Sequence, residues 1–187
     1  MAALDRRKKY TRMVLRDSLI QLLKERPLSS ITVKDICELA DINRSTFYAH
    51  YADQYDLLEQ IEEEIMTDLT GYLNQFQYEN EEDALPLLEN LLEYFASKRD
   101  ISQTLLNERM DSSFQLKVMT FAHKYFMEHW TVVRHLDEDL SEYMSTFIIS
   151  GCIHVMKAWL SNDMDKSPRE IAEILYHLIN KGLFGKE

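Results

Sequence analysis

A short segment, Arg44 to His50, gathers side chains that are suited to binding nucleic acid. Arg44 can make a bidentate contact to guanine, and Thr46 can offer its methyl group to thymine or its hydroxyl to a phosphate. Ser45, Tyr48 and His50 are neutral or weakly basic donors that suit phosphate oxygens. These residue types favour DNA recognition. The alternative is that Arg44 is a solvated surface residue of an ordinary pair of short helices.

The residues around this segment are predicted to form the helices and the turn that position it. The pattern predicts a helix over residues 32–40, a three-residue turn, and a second helix over residues 44–51. Thr32 opens the first helix with capping-box spacing to the acidic residue three positions later. Asp41 tolerates the left-handed backbone that such a turn often needs, and Asn43 is a good N-cap for the second helix. In a helix-turn-helix the second helix lies in the major groove.

The distribution of charge is consistent with DNA binding at one end of the chain only. The net charge is −11, but residues 1–51 contain ten Lys and Arg against six Asp and Glu, a local balance of +4. The remaining residues contain eleven against twenty-six, a balance of −15. Charges beyond a Debye length of about 8–10 Å are largely screened, so an acidic body does not prevent a basic head from binding phosphates.

The segment from Ile31 to Tyr51, ITVKDICELADINRSTFYAHY, resembles the DNA-binding domain of the tetracycline-repressor (TetR) family. The resemblance covers about Tyr10 to Leu58 and is most specific in the run TFYAHY. The stretch from Gly151 through Trp159 to Pro168 resembles, less specifically, the C-terminal domain of one subgroup of that family.

This resemblance implies a homodimer whose C-terminal domain usually binds a small effector or a partner. The family's DNA contacts fall in this chain on Thr32, Arg44, Ser45, Thr46, Tyr48 and His50. The family commonly has glycine where this chain has Asp41, and a phosphate-binding lysine where it has Gln54. We expect that contact to be weaker here, or to be supplied instead by Lys34 or by the basic run Arg6–Lys9, although the run could equally be a solvated helix start.

The chain as a whole is expected to be all-α with about nine helices, since four glycines and three prolines leave few tight turns for a sheet. Residues 1–53 are expected to form a three-helix, helix-turn-helix domain, and residues 54–187 a helical bundle for ligand or partner binding and dimerisation. The predicted helices are Asp5–Glu25, Thr32–Ala40, Arg44–Tyr51, Asp53–Tyr78, Ala84–Lys98, Ile101–Glu108, Ser112–Trp130, Leu140–Leu160 and a ninth that begins at Ser167 and runs to Lys181.

The last two helices are expected to pair with their two-fold mates in a four-helix bundle. The eighth is apolar over more than one face, so it needs burial beyond the core of its own chain. The predicted interface residues are Phe147, Gly151, Val155, Trp159, Ile171, Ile174, Leu175 and Leu178.

An apolar ligand pocket is expected between the fourth, seventh and eighth helices, and the acidic body disfavours an anionic ligand. The predicted lining residues are Ile65, Leu69, Tyr72, Phe114, Val118, Phe121, Tyr125 and Phe147. The alternative is a filled core that responds to no small molecule, or a surface that responds to a protein partner.

Catalytic, metal-binding and membrane functions have no positive signal in the sequence. Cys37 and Cys152 are far apart and form no CxxC pair, the histidines form no HxxxH or HExxH pair, and there is no glycine-rich phosphate loop. No window is apolar enough to span a membrane, and no signal peptide is recognisable. We therefore expect a cytoplasmic protein that is not an enzyme and that needs no cofactor or metal.

The sequence favours a homodimeric transcriptional regulator, a repressor, that binds a palindromic operator in double-stranded DNA. It would respond to a small apolar effector or to a protein partner. The alternative is a helical adaptor protein that has lost its DNA affinity, which Gln54 and the net charge favour.

Overall fold

A computed structural model describes residues 2–76, 83–106, 114–134 and 138–183. Across these ranges the chain forms nine α-helices and no strand, which confirms the all-α prediction. The helices are α1 Ala2–Glu25, α2 Val33–Ala40, α3 Arg44–Tyr48, α4 Gln54–Leu73, α5 Ala84–Ser97, α6 Arg99–Leu105, α7 Phe114–Arg134, α8 Glu138–Ser161 and α9 Pro168–His177. A 3₁₀ turn at Leu28–Ser30 follows α1, and a π-helical turn at Leu178–Leu183 follows α9.

The chain divides into two compact units. The N-terminal unit contains residues 2–67, and the C-terminal unit contains the described residues from 68 to 106 and from 114 onward. The division falls within α4, whereas the sequence placed a domain boundary between residues 53 and 54. Residues 54–67 of α4 group with the N-terminal helices because their apolar side chains contribute to the core of that unit.

The core of the N-terminal unit is built from one apolar face of each helix. Leu15 and Leu19 on α1, Ile36 on α2, Phe47 on α3 and Leu57 on α4 are all fully buried. The helix pairs α1–α2 and α2–α3 pack against each other. Burial of these side chains fixes the rotation of α3, and that rotation decides which of its residues face outward.

The core of the C-terminal unit is formed mainly by α5 packed on α9 and by α7 packed on α8. Phe95 and Leu160 are among the fully buried side chains. The connection between α8 and α9 is closed by the Trp159 indole N–H, which donates to the Lys166 carbonyl at 2.8 Å. Ser167 then caps α9 in the predicted capping box, with its N–H donating to the Glu170 carboxylate at 2.8 Å.

Several helix ends differ from the predicted ones for local reasons. The helix α3 ends at Tyr48 because the N–H groups of His50 and Tyr51 both donate to the Phe47 carbonyl, which tightens the chain into a turn. The helix α9 ends at His177 and gives way to the π-helical turn. The predicted ends of the fourth and sixth helices and the predicted start of the seventh lie outside the described residues.

Candidate DNA-binding surface and apolar cavity

The turn between α2 and α3 has the geometry that the residue types predicted. Asp41 adopts a left-handed backbone with φ 52° and ψ 42°. The Ile42 N–H donates to the Cys37 carbonyl at 3.0 Å, which closes the end of α2. The Asn43 side-chain oxygen accepts from the Ser45 N–H at 2.9 Å and caps the start of α3. These bonds fix the angle at which α3 leaves the turn.

Phe47 anchors α3 to the core of the N-terminal unit. Its ring is fully buried and lies 5.6 Å, centroid to centroid, from the rings of both Tyr48 and Tyr51. With Phe47 pointing inward, Arg44 and Ser45 are exposed, and Tyr48 is 58% exposed. Positions three and four apart share a helix face, so these three side chains form one outward surface.

Thr46 and His50 are half-buried at the margins of this surface. The His50 ring lies 6.1 Å from the ring of Tyr51. The structure therefore brings five of the seven predicted DNA contacts together on or beside α3.

The other two predicted contacts are Thr32, the N-cap of α2, and Lys34 on α2, and both have partners within the protein. The Thr32 hydroxyl donates to the Asp35 carboxylate at 2.9 Å and accepts from the Asp35 N–H at 3.3 Å. The Lys34 ammonium lies 3.5 Å from the Glu38 carboxylate. Both side chains are exposed, but each would have to exchange a contact within the chain for a contact with phosphate.

Asp35 remains ionised beside Thr32. Hydrogen bonds from the Thr32 N–H and hydroxyl, followed by the charge of Arg26, hold the pKa of Asp35 below its ordinary value. The Arg26 guanidinium lies 3.0 Å from this carboxylate. The start of α2 is therefore stabilised by a local charge network.

A three-residue brace that the sequence did not reveal ties α1 to the segment after α3. The Arg12 guanidinium lies beside the Tyr51 hydroxyl and forms an ion pair with Glu64 on α4. Tyr51 is buried, and burial raises the pKa of its hydroxyl, so it stays neutral. The partners stand 39 and 52 positions away from Arg12 in the chain, and no local pattern marks such a contact.

The C-terminal unit contains an apolar cavity of about 140 Å³. It is lined by Leu69, Leu73, Ala84, Leu87, Leu88, Leu91, Leu92, Phe95, Val118, Phe121, Ala122, Tyr125, Phe126, Ile148, Ile149, Cys152, Ile153, Met156, Leu175 and Ile179. Tyr125 and Cys152 are the lining side chains with a polar atom. Burial raises the pKa of Cys152 to about 11, so its thiol is neutral at physiological pH.

Four of the predicted pocket residues line this cavity: Leu69, Val118, Phe121 and Tyr125. The structure places the other four, Ile65, Tyr72, Phe114 and Phe147, outside the lining. Ile65 is buried in the N-terminal unit, and Phe114 is buried elsewhere in the core. The Tyr72 hydroxyl donates to Glu93 at 3.4 Å, and Phe147 is 66% exposed.

Sequence reasoning missed the contribution of α5 to the cavity. Four leucines of α5, at positions 87, 88, 91 and 92, lie in the lining. Their spacing of one and of three or four positions is a helical apolar face, and this was the signal that could have found them.

The predicted dimer residues divide into an exposed group and a buried group. On α8, Tyr143, Phe147 and Gly151 follow one another at intervals of four along an exposed stripe. Ile174 and Leu178 are exposed as well, the latter by 59%. The structure places three others, Trp159, Ile171 and Leu175, in the core of the C-terminal unit, and Val155 is half-buried.

Two further features bear on function. Over the ranges that the structure describes, no three potential metal ligands come together. No helix in those ranges combines the length and the apolar character needed to cross a bilayer.

Comparison with known families identifies the class of this protein. The model for bacterial regulatory proteins of the tetR family matches residues 15–61, which include α2, α3 and the turn between them. A second model, for the C-terminal region of transcriptional regulators of the same type, matches residues 82–181. The chain belongs to the tetR family of transcriptional regulators.

Individual relatives are more distant. The chain is 26% identical over 180 residues to the uncharacterized HTH-type transcriptional regulator YxbF of Bacillus subtilis (strain 168). That match covers 92% of this chain and 46% of YxbF, so the chain spans about half the length of this curated relative.

Solved structures share the fold over nearly the whole chain. The TetR transcriptional regulator from Streptococcus agalactiae 2603V is 24% identical with a TM-score of 0.69, covering 95% of this chain and 98% of that one. The dihydroxyacetone kinase operon activator DhaS is 16% identical with a TM-score of 0.60, covering 92% and 95%.

Proposed function

We propose that this protein is a DNA-binding regulator that reads an operator with α3. The observation that carries the proposal is the exposed surface of Arg44, Ser45 and Tyr48 on a helix anchored by the buried Phe47. Among the described residues, Arg44 has no carboxylate within ion-pair distance, so its guanidinium is available to a guanine edge. Tyr48 and His50 would donate to phosphates beside the groove.

We further propose that the regulator acts as a homodimer. The exposed stripe of α8 presents two large aromatic side chains, Tyr143 and Phe147, to solvent. A large apolar stripe of this kind is typical of a protein interface. An isologous pairing through this stripe and through Ile174 and Leu178 would give the assembly two reading helices, the number that a palindromic operator requires.

Repression is the output that needs the fewest further contacts. A dimer seated on an operator blocks a promoter by occupancy alone, whereas activation requires an additional contact with the transcription machinery. The fold itself is compatible with either output, since the neighbour DhaS is by its name an operon activator. A protein that acts on the chromosome of a bacterium works in the cytoplasm, and we place this chain there.

The apolar cavity is the proposed effector site. Its volume of about 140 Å³ is close to that of an engineered apolar cavity of about 150 Å³ that binds benzene. An uncharged ring compound or a short aliphatic molecule would fit its lining. Leu69 and Leu73 belong to α4, and residues 54–67 of the same helix belong to the N-terminal unit. A ligand in the cavity would therefore contact a helix that continues into the N-terminal unit.

A binding experiment tests the DNA proposal directly. The full-length chain is used to select duplexes from a random 30-base-pair pool, and affinity for the selected duplex is measured by fluorescence anisotropy. Arg44→Ala should weaken binding by about 1–3 kcal/mol and relax base preference at one position in each half-site. Tyr48→Phe should instead weaken the selected and unselected duplexes alike.

The adaptor alternative makes the opposite prediction. It is favoured by the engagement of Thr32 and Lys34 within the protein and by Gln54 at the start of α4. An adaptor would enrich no sequence from the pool, and Arg44→Ala would change nothing. Enrichment of a site that depends on Arg44 excludes it.

A further inference from the structure

The basic residues of the N-terminal unit are unevenly neutralised. Residues 1–51 contain ten Lys and Arg, and four of them have carboxylate partners: Arg12, Arg16, Arg26 and Lys34. Lys24 is engaged as well. The remaining five are Arg44 and the consecutive run Arg6–Lys9, which are exposed and have no carboxylate within ion-pair distance in the described part of the chain.

The placement of the run Arg6–Lys9 is unfavourable for the helix that contains it. These four cations lie in the first two turns of α1, which spans Ala2–Glu25. The N-terminus of a helix carries a partial positive charge, so acidic side chains stabilise it and basic ones destabilise it. Like charges three and four positions apart repel each other as well. One acidic residue, Asp5, precedes these four cations in the sequence, so the segment keeps a net positive charge that an anionic partner outside the chain would neutralise.

The brace at Arg12 locates this run relative to α3. Lys8 and Lys9 precede Arg12 by four and three positions, so they share its face of α1. They lie about one turn, or 5.4 Å along the axis, nearer the N-terminus. Arg12 itself contacts Tyr51, which directly follows His50. The basic run is therefore within reach of the end of α3 where the phosphate contacts of Tyr48 and His50 are proposed.

We propose that the run Arg6–Lys9 binds backbone phosphates of the DNA that flank the groove read by α3. This inference rests on the proposed function and adds a second, sequence-independent contact to each head. The phosphates would neutralise the excess positive charge that the run gives to the start of α1. The contact positions the head on the duplex and carries no base preference.

The test uses matched pairs of substitutions on the same helix. Lys8→Gln/Lys9→Gln removes two charges from the run, and Arg16→Gln/Lys24→Gln removes two charges from the rest of α1. Affinity is measured against salt concentration for the selected duplex and for a 30-base-pair duplex of mixed sequence. Each lost phosphate contact lowers the slope of log affinity against log salt by about 0.9.

For a dimer that loses one or two contacts per head, Lys8→Gln/Lys9→Gln should reduce this slope by about 2–4 on both duplexes. The base preference should stay unchanged, and the control pair should keep the wild-type slope. The melting temperature of Lys8→Gln/Lys9→Gln should stay close to that of the wild type, because both side chains are exposed and have no carboxylate within ion-pair distance in the described part of the chain. This excludes misfolding as the cause of weaker binding.

The inference is overturned if the wild type and Lys8→Gln/Lys9→Gln show the same slope. It is also overturned if the control pair Arg16→Gln/Lys24→Gln lowers the slope equally. The effect would then come from the overall charge of α1 and not from phosphate contacts of the run. Failure of the proposed function looks different: the wild-type chain itself would enrich no duplex, whatever the slopes. If the wild type selects a site that depends on Arg44 while Lys8→Gln/Lys9→Gln keeps the wild-type slope, this inference is contradicted and the proposed function is not.

Discussion

Asp41 holds the turn between α2 and α3 with a backbone that side chains other than glycine rarely adopt. Asp41→Gly should therefore stabilise the protein modestly, because the relief of left-handed strain, about 1–2 kcal/mol, exceeds the extra backbone entropy that glycine loses on folding, about 0.5–1 kcal/mol. Asp41→Ala should destabilise it, since alanine meets the steric cost of the left-handed backbone, which aspartate tolerates better. Urea unfolding measures both changes. Asp41→Asn controls for the lost charge, and a glycine variant less stable than this asparagine variant would contradict the strain argument.

Thr32 and Asp35 form a reciprocal cap whose strength depends on pH. The folded pKa of Asp35 lies below its unfolded value, so its contribution to stability is complete above the unfolded pKa and is lost as pH falls through the folded pKa. Thr32→Ala should cost about 1 kcal/mol at neutral pH. The difference from the wild type should begin to shrink as pH falls below the unfolded pKa of Asp35, and should vanish as Asp35 is protonated in the folded state.

Chemical unfolding of the wild type and Thr32→Ala at pH 7 and pH 3 measures this linkage. Thr32→Ser keeps the hydroxyl and is the matched control, which should stay close to the wild type at both values. An equal deficit of Thr32→Ala at both pH values would show that the cap does not depend on the Asp35 charge.

At the residue scale, the sequence predicted those features that depend only on residues a few positions apart. The left-handed Asp41, the N-cap Asn43 and the capping boxes at Thr32 and Ser167 follow from residue type and a spacing of a few positions, and the structure confirms them. The brace between Arg12 and Tyr51 could not be predicted, because it depends on how α1 packs against distant residues.

Among the elements, α8 shows why helical periodicity alone leaves the direction of a side chain undecided. Phe147 and Trp159 are both large and apolar, but Phe147 is exposed and Trp159 is buried. The helix is apolar around much of its circumference, so the spacing of its apolar residues does not define one inward face. Packing against α7 selects the inward face, and the residues on the other face stay exposed in the single chain.

Gly71 on α4 and Gly151 on α8 give a matched test of that outward face. A Cβ atom added at either position would meet nothing within 4 Å of the chain. Each Gly→Ala change should therefore stabilise its own helix by about 0.5–1 kcal/mol. Gly151→Leu should in addition lower self-association, because the added side chain stands on the proposed dimer stripe.

Sedimentation equilibrium measures the self-association, and Gly71→Leu is the control that should leave it unchanged. Equal association of the wild type and Gly151→Leu would contradict the assignment of the α8 stripe to the dimer interface.

At the scale of the whole molecule, the all-α architecture, with nine helices over the described residues, could be predicted, whereas the place at which the chain divides into units could not. The transition from a basic to an acidic composition suggested a boundary near residue 53, and the units divide within α4. A helix that contributes side chains to two cores has no break in its sequence pattern. The cavity was predicted only in part for a similar reason, since four leucines of α5 complete it.

The cavity predicts a defined ligand response of the intact protein. Benzene and indole should raise the melting temperature, because a ligand that binds the folded state alone stabilises it in proportion to its occupancy. Phe121→Ala enlarges the site and should shift the preference toward larger apolar molecules while leaving the DNA affinity of the free protein nearly unchanged.

Tyr125→Phe keeps the shape of the site and removes one hydroxyl, so it separates packing from polar orientation of the ligand. A panel of apolar compounds that neither raises the melting temperature nor releases the selected duplex would contradict the effector role of the cavity.

The most direct test of the central claim is the stoichiometry and site structure of the protein–DNA complex. Sedimentation of the full-length chain with its selected duplex should give two chains per duplex. The selected sequences should contain two inverted half-sites whose centres lie about one helical turn, or slightly more, apart. One chain per duplex on a single unrepeated site, or a pool from which no sequence is enriched, would contradict a dimeric regulator that reads DNA with α3.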